Sequence, residues 1–202
     1  MSARKLALLA GGSYFIIFFS AIFANFLVLE ALIQDPMETV QQNSGMVRWG
    51  IMAFLLTVVF DVVVAWALYK LFQTHVLSAL STLFRMMHAA IMGVAVFALP
   101  LALQEVTANG ILHQVEVFNT IWLIGLFFFG IHLILLGFIL KRPIIIVVFL
   151  IIAGLMYMLD TSAHFLLPNY ADYADIFLAL VAFPSILGEM ALAIWLLVRG
   201  GE

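Results

Sequence analysis

Apolar residues run along this chain in blocks long enough to cross a bilayer as helix, which takes about 20 residues. The blocks lie at roughly 6–33, 48–70, 77–103, 117–140, 144–160 and 175–198. This pattern predicts an all-α integral membrane bundle of about six transmembrane helices, carried by a single domain over residues 1–202. Arg4 and Lys5 precede the first block as they would in a signal peptide, but the block is too long for an h-region and is expected to be a retained helix.

Polar stretches punctuate the blocks. "QDPMETVQQNSG" and "LPNYADYAD" are the longest polar connections, with Pro36, Pro143 and Pro168 at loops or helix starts. His75 and His113 are placed in solvated loops. Pro100 and Pro184 instead fall inside the third and sixth blocks, where each removes a backbone donor and frees the carbonyl four residues earlier, of Val96 and Leu180. Kinks are expected there. No heptad, low-complexity tract or internal repeat is visible, so an inverted-repeat transporter has no support.

Basic residues orient the chain. Arg4, Lys5, Lys70, Lys141, Arg142 and Arg199 fall at the termini and at alternate connections, whereas the others carry only Arg48. By the positive-inside rule both termini are cytoplasmic, which predicts a multi-pass protein of the cell inner membrane.

Composition narrows the chemistry. With 66% hydrophobic and 9% charged residues, the chain lies far from soluble domains. A net charge of -3 without a basic block gives nucleic acid nothing to bind. The absence of cysteine removes disulfides, thiolate metal sites and thiol catalysis.

The polar residues inside the blocks are therefore the candidate site. Charged groups in a membrane span are costly and normally face the bundle interior in pairs. Asp61 lies nine residues before Lys70, His132 nine before Lys141 and Glu189 ten before Arg199, which puts all three about 13–15 Å from one end of their helices. Arg85 and His88, one turn apart in the third block, reach about 12 and 17 Å. These five form an expected buried polar layer if their faces converge, with Gly93, Gly125, Gly130, Gly137 and Gly188 allowing close helix approach. A second group lies toward the other side: Glu30, Gln34, Gln104, Glu105, Asp160 and His164. Asp160 and His164, spaced i and i+4, would share a face on a continuous helix as a charge-assisted pair or two ligands of one ion.

The segments "RKLALLAGGSYFIIFF", "DVVVAWALYKLF", "FRMMHAAIMG", "GLFFFGIHLILLGFILKRP", "GLMYMLDTSAHFLLPNY" and "GEMALAIWLLVRG", in this order, resemble a bacterial and archaeal membrane family catalogued as domain of unknown function 4386. The resemblance implies a small multi-helix inner-membrane protein whose typical polar positions correspond to Asp61, Arg85, His132, Asp160 and Glu189. It implies no activity. At His88 the chain departs from the expected glutamine.

Three functional readings follow. In the first, the layer binds or translocates a small apolar molecule or a proton, with His132 and Glu189 as exchangeable groups, Arg85 as the fixed cation and Phe127, Phe128, Phe129 and Phe183 as apolar lining. In the second, Asp61 pairs with Arg85 and His132 with Glu189 or a carbonyl, the layer only fixes helix register, and the protein is an accessory subunit of a membrane complex. The third is an intramembrane metal-dependent hydrolase with zinc on His88, His132, Asp61 and Glu189, although no His-Glu-x-x-His signature exists. No cofactor is predicted; zinc, or a haem between His88 and His132, stays open. The lipid bilayer is the expected partner, with other membrane subunits or a small apolar ligand as further candidates.

Overall fold

A backbone surrounded by hydrocarbon has no water to bond, so a chain this apolar folds into segments that satisfy their own donors. The computed structural model describes residues 1–201, and they form helices with no strand among them. Six spans run Ala3–Gln34, Ser44–Leu71, Ser78–Ala102, Ala108–Leu140, Ile144–Leu166 and Tyr170–Val198, each long and apolar enough to cross a membrane. The protein is a multi-pass helical membrane protein.

Consecutive spans pack side by side, and the sixth returns to the first, so the bundle closes into a ring. Arg4 fastens that closure at the end where both termini lie. Its guanidinium donates to the carbonyls of Leu196 and Gly200, both at 3.1 Å, and of Leu197 at 2.5 Å. Leu196 and Leu197 belong to the last turn of the sixth span and Gly200 follows just after it, at the helix end where carbonyls lack helical partners and a cation is favoured.

Several spans extend beyond their hydropathy limits. The fourth begins at Ala108 rather than near 117, because the Thr107 side chain accepts from Gly110 N at 3.1 Å and caps the helix. His113, expected in a loop, therefore stands on an exposed helical turn. The fifth span continues past residue 160 to Leu166, so Asp160 and His164 do lie on one continuous helix. The connection "QDPMETVQQNSG" contains a short helix, Pro36–Gln42, with proline in its first turn and Thr39 Oγ1 donating back to Ala31 O at 2.9 Å.

Prolines act unequally. The third span breaks into Ser78–Ala95 and Ala98–Ala102, and the Val96 carbonyl freed by Pro100 accepts from Leu99 N at 3.1 Å. The sixth span stays helical through Pro184, with Ser185 Oγ donating to Val181 O at 2.8 Å. A π-helical segment, Phe23–Leu29, was not foreshadowed; there the Asn25 side chain donates to Ala21 O at 2.9 Å.

Two cores divide the ring. Near the termini, Tyr14, Val64, Leu68, Leu133, Leu136, Leu150, Leu192 and Leu196 fill the centre. At the opposite end a second core draws on the first four spans only, through residues such as Val28, Leu32, Phe54, Leu99 and Phe118. The outer segment of the first span turns onto the second and fourth spans. The level between the two cores holds the polar residues.

Candidate functional site

The second span delivers Asp61 and the third delivers Arg85 to the middle of the ring. Arg85 Nη2 donates to Asp61 Oδ1 at 2.5 Å, with the side chains 1% and 3% exposed. Arg85 Nη1 donates to Tyr14 Oη at 2.8 Å, and the guanidinium stacks over the Tyr14 and Phe129 rings at 4.8 and 5.2 Å. Its Nε has no partner. The only buried cation among the described residues is thus fixed from three spans.

His132 sits behind that guanidinium. Its Nε2 lies 3.3 Å from Arg85 Nη1, and because a guanidinium only donates, Nε2 accepts. The ring proton then resides on Nδ1, which faces Ser81 O and Ser81 Oγ, both at 2.9 Å. A neutral Nδ1–H imidazole satisfies every contact; a second ring proton would point at the guanidinium. This is how a histidine is accommodated so deep in an apolar helix. It holds Arg85 in place and does not line the central cavity, which removes the geometric basis for treating it as an exchangeable group.

His88 is close to the pair without joining it. Nε2 stands 3.8 Å from Asp61 Oδ2, too far for a hydrogen bond, and Nδ1 has no partner. Its ring packs on Phe129, with centroids 4.7 Å apart. Gly125 makes room for it, since a Cβ there would stand 3.3 Å from His88 Nδ1.

These groups form one wall of a cavity of about 180 Å³ to which all six spans contribute. Asp61, Arg85 and His88 line it together with Glu189, Tyr157 and Ser185, while Ile17, Phe18, Trp122, Leu126 and Met190 supply apolar surface. Glu189 has no hydrogen-bond partner among the described residues, and no lysine, arginine or histidine nitrogen lies within 4.0 Å of it. Ile186 of the sixth span lines the cavity and is 49% exposed.

Of the five residues expected in one layer, four are linked by contact, and Glu189 completes the cavity without touching them. The outer polar residues do not form one group. Gln34 Nε2 donates to Glu30 Oε1 at 2.7 Å, Gln114 Nε2 donates to Glu105 Oε1 at 3.4 Å, and Asp160 accepts from Tyr170 Oη at 2.7 Å. Asp160 and His164 are not paired: His164 packs edge-on against the Tyr170 ring instead. Gln104 lies beside Arg48 in a separate surface groove.

The donor sets do not converge on a metal. Among the described residues no three His, Asp or Glu side chains are grouped to hold one. Asp61 is engaged by Arg85, and both ring nitrogens of His132 are occupied. Phe129 packs against His88 and His132 alike, at 4.7 and 5.8 Å, so a haem bridging them would have to displace it.

Four participants carried too weak a signal to be singled out from the sequence: Tyr14, Ser81, Tyr157 and Ser185. Ser81 lies four residues before Arg85 and so on the same helix face, and Tyr14 is about 17 Å into its span, at the depth of the layer.

Fold and site together define a six-span helical membrane protein with a buried ionic cluster facing an internal cavity. The family model for the domain of unknown function (DUF4386) matches residues 9–200, and the chain belongs to that family. An uncharacterized protein of Archaeoglobus fulgidus is 30% identical over 158 residues, covering 75% of this chain and 84% of that protein. No solved structure matches.

Proposed function

We propose that this protein binds a small, largely apolar molecule inside the membrane, in the cavity between its two cores. The observation that carries this reading is the composition of the cavity wall. A buried region that served packing alone would be filled; here about 180 Å³ stays open beside polar groups with unused bonding capacity, namely Glu189, His88 Nδ1 and Arg85 Nε. An apolar cavity of about 150 Å³ in a soluble protein takes up benzene, so a guest of one aromatic ring with a polar substituent is the right size. The exposure of Ile186, a residue that also lines the cavity, favours entry from the bilayer. We place the protein in the cytoplasmic membrane with both termini inside, because of the basic residues at the termini and at alternate connections.

Binding is tested on a variant that keeps only Trp122, carrying Trp49→Phe, Trp66→Phe and Trp195→Phe, in lipid nanodiscs. Titration with 4-bromobenzyl alcohol is expected to quench Trp122 saturably through its heavy atom. Ala21→Phe, which places a ring on the cavity wall, is expected to weaken that binding about tenfold or more. Quenching that rises linearly and equally in both proteins would mean partition into lipid alone and would remove the reading.

A further inference from the structure

Resting on that binding reading, we propose that the preferred guest is a small lipophilic organic cation, a protonated amine on an aromatic or branched apolar body, with the Glu189 carboxylate as its counter-ion.

The charges around the cavity do not balance. Its charged and titratable groups are Tyr14 from the first span, Asp61 from the second, Arg85 and His88 from the third, Tyr157 from the fifth and Glu189 from the sixth; the fourth contributes none. Arg85 is the one fixed cation, and it is spent on Asp61, Tyr14 and His132. His88 supplies no fixed charge: it makes no hydrogen bond to Asp61 and stands one turn from the guanidinium. Two carboxylates therefore share one cation, and Glu189 is the one left over, with no basic nitrogen within 4.0 Å. A carboxylate in low dielectric without a partner is a strong cation site.

The walls favour the same guest. Arg85 already covers the Tyr14 and Phe129 rings, which leaves Trp122, Tyr157 and Phe18 to the occupant. Aromatic faces attract cations, tryptophan best of all, most of all where water is excluded. An anion would meet the Asp61 and Glu189 carboxyls and find only the Nε–H of a guanidinium whose charge Asp61 already balances. A neutral guest would fill the volume without giving Glu189 an ionic partner. Access from the lipid suits amines, which cross hydrocarbon in their neutral form.

The test uses the Trp122-only protein loaded with 4-bromobenzyl alcohol and displaces it with three probes of one ring each: benzylamine, which is protonated at pH 7, benzyl alcohol and sodium benzoate. Benzylamine is expected to displace the bromo probe at a concentration about tenfold or more below benzyl alcohol, the scale of one charge-assisted contact; benzoate is expected to displace it least. In Glu189→Gln the amine preference is expected to fall to about unity while the bromo probe still quenches saturably, which also reports that the variant is folded. Glu189→Asp should keep most of the preference. Equal displacement by amine and alcohol in the parent protein would overturn the cation assignment and leave the binding reading standing. Preference that survives Glu189→Gln would overturn Glu189 as counter-ion. Absence of saturable quenching by the bromo probe would sink the binding reading itself.

Discussion

Removing Arg85 tests whether the buried ionic cluster is a coupled unit. Arg85→Met strips the partner from Asp61, a residue 2% exposed, and losing one member of a buried pair costs roughly 3–5 kcal/mol. It also deprives Tyr14 Oη and His132 Nε2 of their common donor, which adds about 1 kcal/mol. Asp61→Leu leaves the guanidinium with two neutral acceptors and should cost about 3–5 kcal/mol as well. In the double variant no charge remains at the centre, so the penalty should fall to about 2–3 kcal/mol, well below the sum of the single changes. The coupling then exceeds about 3 kcal/mol. The competing expectation is the average for transmembrane polar contacts, about 0.6 kcal/mol, which applies where a released group finds other partners or reaches water. Arg85 lies about 10 Å into its span from Ser78 and is packed between two rings, so it cannot snorkel. Steric-trapping measurement of unfolding free energy in bicelles for the four proteins gives the coupling directly. Single penalties that add to the double within about 0.5 kcal/mol would refute the account of a coupled pair.

Three further outcomes are expected. Gly130→Ala and Gly154→Ala should each destabilise by about 2 kcal/mol or more, because a Cβ on either glycine strikes the carbonyl of the other, whereas Gly93→Ala, with only Val58 at 3.9 Å, should stay within about 0.5 kcal/mol in the same assay. Arg4→Ala should lower the melting temperature in detergent by opening the joint between the first and sixth spans, at about 1–3 kcal/mol for its charged hydrogen bonds; an unchanged melt would show that the clasp adds nothing. A phosphatase reporter fused after Arg142 should be silent and one fused after Asn169 active in a bacterial host, and the reverse pattern would invert the proposed orientation.

Much of the site was legible because depth in a membrane can be counted. Lys70, Lys141 and Arg199 mark where their helices meet water, and stepping back from them put Asp61, His132 and Glu189 at one level. Depth does not give azimuth. On spans that are apolar all round, no amphipathic face says which way a residue points, and this is where the outer residues misled: Glu30, Glu105 and Asp160 share a level yet each bonds to a different neighbour. Ser81 was hidden for another reason. A hydroxyl in an apolar helix commonly bonds to its own backbone, as Ser13 and Ser162 do here. Only the facing helix distinguishes these from Ser81, whose Oγ reaches His132. The early start of the fourth span was missed because the polar residues of "ANGILHQVEV" lower its hydropathy, while a capped helix tolerates them outside the bilayer.

The arrangement of the cluster separates two jobs within one polar layer. His132, Tyr14 and Asp61 accept from the Nη atoms of Arg85, and Ser81 in turn fixes the His132 ring. That part of the layer is a fixed frame, and rearranging it would strand a charge in the bundle centre. Glu189 lines the same cavity from the sixth span, with no basic nitrogen within 4.0 Å and one helical turn after the exposed Ile186. A carboxylate held off its nearest cation this way gains more from an arriving positive group than from any movement of the protein. The frame therefore keeps Arg85 from neutralising Glu189, and replacement of His132 by leucine should weaken amine selectivity without touching the cavity wall. Once Nη1 loses His132 as an acceptor, only Tyr14 and Asp61 hold the guanidinium, which is then freer to turn toward Glu189 and take the place of the guest. Amine and alcohol displacement measured on His132→Leu would decide this, and an undiminished preference would show that Arg85 is held by Asp61 and Tyr14 alone.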